Sequence, residues 1–171
     1  MNALIIDAFE FSRLNEHREG EIAIADLPRL AEESAEPAGS ADRTGTIRWT
    51  LQGGQDRLGH PQLTLSVSGA ISLMCQRCLT PFVFDIESQS VLVLAQDEAS
   101  ADAIEALLAD DTVEVIVGSR SFNIADLIED EALLMIPLSP KHQVCPDQPM
   151  PKEAPDVEKV SPFAVLKNLK Q

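Results

Sequence analysis

Alternation of apolar and polar residues through the middle of the chain is the clearest pattern in the sequence. Apolar side chains alternate with polar ones over residues 46–51, and a longer alternation of the same kind runs over residues 63–75. A period of two residues is typical of a half-buried strand. Residues 82–95 are apolar at both ends and polar in the centre, and residues 112–117 form a short β-branched run. The pattern predicts four strands, with residues 76–81 as the hairpin turn between the second and the third.

Helical spacing of apolar residues flanks these strands. Residues 26–33 place Pro28 in a first helical turn, and residues 98–109 carry apolar side chains at intervals of three and four. The strongest helical pattern covers residues 123–136, begins at an asparagine suited to an N-cap and ends before Pro137. Together the elements predict an α+β fold, in which helices pack on a strongly twisted antiparallel sheet that can curl into a partial barrel.

We predict a single α+β domain over residues 1–140, with a mobile loop at residues 33–44. The loop is rich in Ala, Glu, Ser, Pro and Gly, a composition that favours flexible chain. Residues 141–171 are predicted to form a Pro-rich linker and a short apolar tail, because five prolines fall among polar residues at 146–162.

Charge narrows the choice of partners. The chain has 13 basic and 28 acidic side chains, a net charge of −15. Such a surface repels phosphate, so basic proteins are better partners than naked RNA. The longest nearly uncharged apolar run, residues 132–138, is far shorter than the ~20 residues that cross a bilayer, so no membrane partner is expected. No secretory signal opens the chain and its three cysteines are an odd number, which favours a cytoplasmic protein with reduced thiols or a metal.

The cysteines suggest a possible zinc site. Cys75 and Cys78 are three residues apart in the predicted hairpin, and His142 and Cys145 repeat that spacing downstream. Thiolates with one imidazole suit zinc. In a typical zinc knuckle a glycine follows the second cysteine and permits a left-handed turn, whereas Leu79 stands here. The alternative interpretation is that the first cysteine is a core residue, the second packs in the turn and the last lies in a loose segment.

An acidic residue falls on the apolar face of the predicted helix. Winding residues 123–136 at 100° per residue places Glu131 in the middle of that face. A buried carboxylate needs a partner, which Arg77, Lys141, backbone amides or a binding protein would supply. Alternatively the helix ends before Glu131, which is then exposed. The adjacent acidic pair at residues 129–130 is interpreted as a solvated face.

The familiar motifs of enzyme chemistry are missing from the sequence. It contains neither a Gly-rich phosphate loop, nor a nucleophile elbow, nor a His-Glu metal-binding helix. We therefore expect a protein that is not an enzyme and has no small-molecule substrate.

Three motifs follow one another in the second half of the chain. They are CQRCLTPF at residues 75–82, the run from EDEALLMIP to Cys145 at residues 129–145, and SPFAVLKNLK at residues 161–170. In this order and spacing they resemble the YceD family, the large ribosomal RNA subunit accumulation proteins, over about residues 22–171. The resemblance implies a non-enzymatic factor needed for the synthesis, processing or stability of the large-subunit (23S) rRNA.

The resemblance also marks individual positions. Some members carry a fuller set of cysteines downstream, where this chain has only Cys145, so that His142 would stand in for a missing ligand. Besides the possible metal ligands, four matched residues are expected to bind a partner or to support the structure. These four are Arg77, Pro81, Glu131 and Pro137.

The sequence leaves two functions open. The leading hypothesis is a ribosome-biogenesis factor that contacts a large-subunit ribosomal protein or a pre-ribosomal particle and reaches rRNA indirectly. The alternative is a zinc- or thiol-dependent module that binds or processes rRNA directly. The acidic charge favours the first hypothesis.

Overall fold

The fold is built around one five-stranded sheet in a computed structural model that describes residues 4–35, 45–108 and 113–146. The N-terminal elements are β1 (Ile5–Ile6), α1 (Ala8–Arg13), β2 (His17–Ala23), a 3₁₀ turn (Ile24–Asp26) and α2 (Pro28–Glu33). They are followed by β3 (Thr46–Gln55), β4 (Pro61–Met74), β5 (Pro81–Ala95), α3 (Glu98–Leu108), β6 (Glu114–Val117), β7 (Phe122–Asn123) and α4 (Ile124–Met135).

The main sheet has the order β2-β3-β4-β5-β6, and β1 pairs with β7 in a separate two-stranded ribbon. Strands β2 to β5 are antiparallel, as predicted for β3 to β5, but β6 joins β5 in parallel because α3 carries the chain back along the sheet. The α+β prediction is confirmed. The sheet is open, however, so the partial barrel is not formed.

One face of the sheet carries the core. Side chains such as Ile47, Leu51 and Leu65 are fully buried and join residues of α1, α2 and α4 in one cluster. The opposite face is polar: its strand positions include the exposed side chains of Arg48 and Glu87. The alternation in the sequence therefore separates core from surface as predicted.

Helix α4 follows the predicted pattern at its start and departs from it near its end. Asn123 caps the helix by accepting a hydrogen bond from the backbone N–H of Ala125 at 3.1 Å. Ile128 and Ala132 are buried, but Leu134, near the end of the helix, is 77% exposed. The face is rotated because α4 packs on α2 as well as on the sheet.

This rotation buries Glu129 instead of leaving it in solvent. Only 3% of Glu129 is exposed, and its carboxylate accepts hydrogen bonds from the backbone N–H groups of Arg29 (2.7 Å) and Leu30 (3.1 Å). It also pairs with Arg29 Nε at 2.8 Å. Because Leu27 offers no side-chain cap to α2, Glu129 satisfies that helix start from across the fold. The prediction of a solvated pair is wrong for Glu129, while Asp130 is exposed and binds Arg29.

The β4–β5 hairpin reaches beyond the rest of the sheet. Pairing between β3 and β4 stops at Gly69, whereas pairing between β4 and β5 continues to Met74 and Pro81. The hairpin confirms the predicted turn and places the first two cysteines beyond the end of the core strands. Of the helices in the described ranges, none combines the length and apolar composition needed to cross a bilayer.

Two predicted segments lie largely outside the described residues. Of the predicted loop at 33–44, only residues 33–35 are described, and there the N–H of Ala35 donates to the carbonyl of Ser72 at 2.7 Å. Of the predicted linker and tail, only residues 141–146 are described.

Candidate metal centre

The turn between β4 and β5 forms a knuckle around the first two cysteines. The N–H of Cys75 donates to the Thr80 carbonyl at 3.0 Å, and the N–H of Leu79 donates to the Cys75 carbonyl at 2.9 Å. Leu79 has a φ of 58°, the left-handed conformation for which a glycine is usually needed. The knuckle therefore forms without the glycine that the sequence lacks.

The segment after α4 lies against this knuckle. The carbonyl of Pro140 accepts a hydrogen bond from the N–H of Gln76 at 2.9 Å, and Ser139 Oγ donates to Gln76 Oε1 at 3.0 Å. These bonds bring His142 and Cys145 to the first two cysteines. Cys145 is only 3% exposed, so it does not lie in a loose segment. The domain boundary after residue 140 stays a prediction, but the first residues beyond it pack against the domain.

The four donor atoms lie close enough together to bind one metal ion. The ligand atoms of Cys75, Cys78, His142 and Cys145 all lie within 4.8 Å of one another. The sulfurs of Cys75 and Cys145 are 3.8 Å apart, and Cys78 Sγ is 3.3 Å from His142 Nδ1. Around a tetrahedral zinc with Zn–S bonds of about 2.3 Å, two sulfurs lie about 3.8 Å apart. The predicted convergence is confirmed, and these residues can hold a metal.

The electrostatic environment favours deprotonation of one thiol. Burial alone raises the pKa of Cys75, but backbone N–H groups of Cys78, His142 and Arg77 outweigh it and lower that pKa to about 5. Burial and the neighbouring thiols raise the pKa of Cys145, against the opposing effect of Arg77. A metal ligand must be a thiolate, so the centre has one ligand ready at neutral pH and releases a proton from another when a metal binds.

Arg77 connects the two halves of the centre. Its Nε donates to Cys145 Sγ at 3.0 Å and one terminal nitrogen donates to the His142 carbonyl at 2.9 Å. The Cys145 sulfur holds the pKa of Arg77 above its usual range. Three thiolates around a divalent ion leave one excess negative charge, which the guanidinium is placed to balance.

Two supporting side chains were not predicted. Thr80 Oγ1 lies 3.0 Å from Cys78 Sγ, and the Phe82 ring lies 4.9 Å from the His142 ring with an interplanar angle of 41°. Both residues belong to the TPF run after the second cysteine. Their position within four residues of Cys78, in the same hairpin, is the sequence feature from which they could have been predicted.

The remaining predicted residues lie around the centre or away from it. Pro81 opens β5 opposite Met74, and Pro137 is exposed just after the last turn of α4. Glu131 is half-buried on α4 and accepts a hydrogen bond from Ser88 on β5, not from Arg77 or Lys141. The prolines therefore mark element boundaries, and Glu131 is not part of the metal centre.

Comparison with known families adds one finding. The family described as "Large ribosomal RNA subunit accumulation protein YceD" matches residues 63–170, well over half of the chain. The match starts in β4 and includes all four candidate ligands. No curated protein and no solved structure matches the chain.

Proposed function

This chain belongs to the YceD family, and from that premise we propose that it is a non-enzymatic factor that supports the synthesis, processing or stability of large-subunit rRNA. It acts by contact with a basic ribosomal protein or a pre-ribosomal particle. The observation that supports the choice of partner is the net charge, because the chain has 28 acidic side chains and only 13 basic ones. Electrostatic complementarity speeds the encounter with a basic protein and selects against a phosphate backbone.

The acidic residues stand where a partner can reach them. On the polar face of the sheet, β2 and β5 expose carboxylates on either side of the basic Arg48. Binding through such exposed charges weakens as salt rises, because mobile ions screen them. The exposed carboxylates of this face are Glu19, Glu21, Asp85 and Glu87.

The test is affinity capture of the tagged full chain from growing cells, with co-purifying proteins and RNA identified before and after nuclease treatment. We expect a large-subunit ribosomal protein to stay bound after nuclease. Reversal of Lys167 and Lys170 to glutamate serves as the control and should change little. Loss of every captured protein with the RNA would contradict the proposal.

We also propose that the four clustered residues hold a zinc ion with a structural role. Cys75, Cys78, His142 and Cys145 fill all four positions of a tetrahedral ion, and a catalytic zinc keeps one position open for water or substrate. The ion would tie the β4–β5 turn to the segment after α4. Metal analysis of protein purified without added zinc tests this: one zinc per chain is expected, and none in Cys78→Ser.

A second candidate function rests on the local charge near these ligands. We call residues 74–83 and 138–146 the tip, and the other described residues the body. The tip contains Arg77 and Lys141 and not one Asp or Glu, although the whole chain is strongly acidic. Leu79 and Val144 are exposed there. Cations and apolar side chains around a zinc centre suit unpaired RNA bases and their phosphates.

Binding of the purified protein to naked 23S rRNA separates the two functions. Direct recognition at the tip predicts binding that Lys141→Glu reduces and that Arg57→Glu, in the opposite hairpin of β4, leaves unchanged. Contact through a partner protein predicts that the wild type, Lys141→Glu and Arg57→Glu all bind naked 23S rRNA weakly. The two substitutions change the net charge equally, so a difference between them reports position.

A further inference from the structure

A groove of about 380 Å³ lies between α4 and β6, at the end of the sheet opposite β2. No basic residue is among those that line it in the described part of the chain. Four carboxylates line the groove, and one of them, that of Asp130, is paired with Arg29. Arg29 does not pair with the other three. The lining residues that matter here are the carboxylates Glu114, Asp126, Asp130 and Glu131 and the leucines Leu127 and Leu134.

Strand β6 gives this groove an open backbone edge. Among the described strands β6 is the last in the sheet and pairs only with β5. The N–H and C=O groups of its other edge point outward, as in any edge strand. Glu114 and Ile116 both line the groove, as alternate residues of one strand face do. An extended chain added to β6 would therefore place every second side chain in the groove.

Helix α4 provides the apolar wall. Leu134 is 77% exposed although it lies about two turns beyond the partly buried Leu127 on the same side of α4, so this apolar stripe continues beyond the core into solvent. Exposed leucine beside carboxylates suits a segment with both apolar and basic side chains. It does not suit an RNA backbone, because phosphate would meet three carboxylates at close range.

We infer that this groove binds an extended basic segment of a protein, one that alternates lysine or arginine with apolar residues and adds to the edge of β6. The inference rests on the proposed function, which supplies a basic ribosomal protein as partner. It goes further by naming the surface and the sequence character of the segment bound there. The basic side chains meet Glu114, Asp126 and Glu131, and the apolar ones cover Leu134.

Site-specific photo-cross-linking in growing cells tests the inference. A benzoylphenylalanine replaces Leu134 in the tagged full chain, and a matched chain carries it at Leu58, an exposed leucine in the β3–β4 turn. We expect position 134 to give an adduct that survives nuclease and maps to a lysine- or arginine-rich segment of a large-subunit protein. Position 58 should give little of this adduct.

Charge reversal then tests the role of the groove carboxylates. Glu114→Lys combined with Glu131→Lys should reduce the adduct at position 134 about tenfold, a loss equal to about 1.4 kcal/mol. The matched control is Asp102→Lys combined with Glu105→Lys, which changes the net charge equally at two exposed positions of α3 outside the groove. It should leave the adduct within about twofold, because a rim charge far from the contact contributes little.

Several outcomes would overturn the inference. The first is an equal amount of adduct from positions 58 and 134, and the second is an adduct at position 134 that Glu114→Lys with Glu131→Lys does not reduce. The others are cross-links to RNA, to a second copy of the chain, or within the chain to the segment at residues 162–170. If affinity capture yields a large-subunit protein that does not cross-link at 134, the proposed function stands and the groove assignment fails. If 134 cross-links a basic segment of a protein unrelated to the ribosome, the groove assignment stands and the proposed function fails.

Discussion

Strands β3 and β4 bury one side chain after another against the helices of the body, whereas the tip beyond them buries two cysteines and leaves Leu79, Leu138 and Val144 in solvent. The body draws its stability from many interchangeable apolar contacts. The tip depends on a few polar atoms in one arrangement. Loss of a single ligand should therefore open the tip while the body stays folded.

The same two regions differ in charge. The tip has two basic side chains and no acidic one, so all 28 acidic side chains of the chain lie elsewhere. A protein with two such surfaces can meet a basic partner with its body and present a different surface to a second component. Four predictions test how independent the two regions are.

Metal loss should produce the largest effect and confine it to the tip. Cys78→Ser should abolish zinc binding and raise amide exchange at Cys75 and Leu79 at least about 100-fold, since bound metal at a hundred times its Kd protects a site by that factor. Exchange at Leu51 and Leu65 in the body should not change. Hydrogen exchange followed by NMR measures both regions in one sample.

A chelator applied to the wild type should reproduce the effect, and added zinc should reverse it in the wild type only. If the purified protein contains no metal and the tip amides exchange at equal rates in both proteins, the centre is not a metal site.

Removal of the buried carboxylate should be the largest change available in the body. Glu129→Ala leaves the N–H groups of Arg29 and Leu30 without their acceptor and should lower the free energy of unfolding by about 3–5 kcal/mol, as breaking a buried pair does. Asp130→Ala removes the exposed partner of the same arginine and should cost less than about 1 kcal/mol. Urea denaturation gives both values. Similar losses in the two variants would show that burial of Glu129 is not what matters.

Leu79→Gly should stabilise the tip slightly. A left-handed leucine costs roughly 1–2 kcal/mol, and glycine removes that cost while adding up to about 1 kcal/mol of chain entropy to the unfolded state. A net gain of about 0.5 kcal/mol is expected in the zinc-loaded protein. Leu58→Gly, at a turn position without positive φ, should instead lose stability. Thermal unfolding distinguishes the two signs.

The smallest effect concerns the β3–β4 turn at the far end of β4. Burial raises the pKa of Asp56, but the His60 ring and the N–H groups of His60 and Leu58 outweigh it and lower that pKa below 3.8. The ionised Asp56 therefore stabilises the fold above pH 3.8, and this contribution is lost as the pH falls through the lowered value. The stability difference between wild type and Asp56→Asn should be constant near neutral pH and shrink in acid. A difference that grows in acid would contradict the assignment.

Strand positions were predictable wherever one face is apolar. Strands β3, β4 and β5 and the start of α4 follow directly from alternation and capping. Strand β2 was not predicted because its core side shows Arg18 and Gly20 before Ile22. A Cβ at Gly20 would lie 3.0 Å from the Trp49 ring, closer than such contacts usually are, so the glycine leaves room for the ring. A glycine that admits a neighbouring aromatic ring has no periodic signal in the sequence.

The candidate centre was predictable in its ligands but not in its support. The repeated spacing singles out Cys75, Cys78, His142 and Cys145 as ligands. Leu79, in place of the usual glycine, argues against a knuckle, and only the backbone shows that this leucine adopts the left-handed conformation. The identity of the buried carboxylate was also out of reach. Whether Glu129 or Glu131 faces inward depends on how α4 packs against α2. A helical wheel drawn from the sequence gives no information on that packing.

The hydrogen bonds between Glu129 and the start of α2 also set the order in which these two segments can become structured during translation. Helix α2 leaves the ribosome about a hundred residues before its acceptor does, so its first turn must wait uncapped during most of translation. At about 5–20 residues per second that delay lasts several seconds. A nascent chain halted before residue 129 should therefore expose the stretch around Arg29 to proteases and chaperones, and release of α4 should end that exposure.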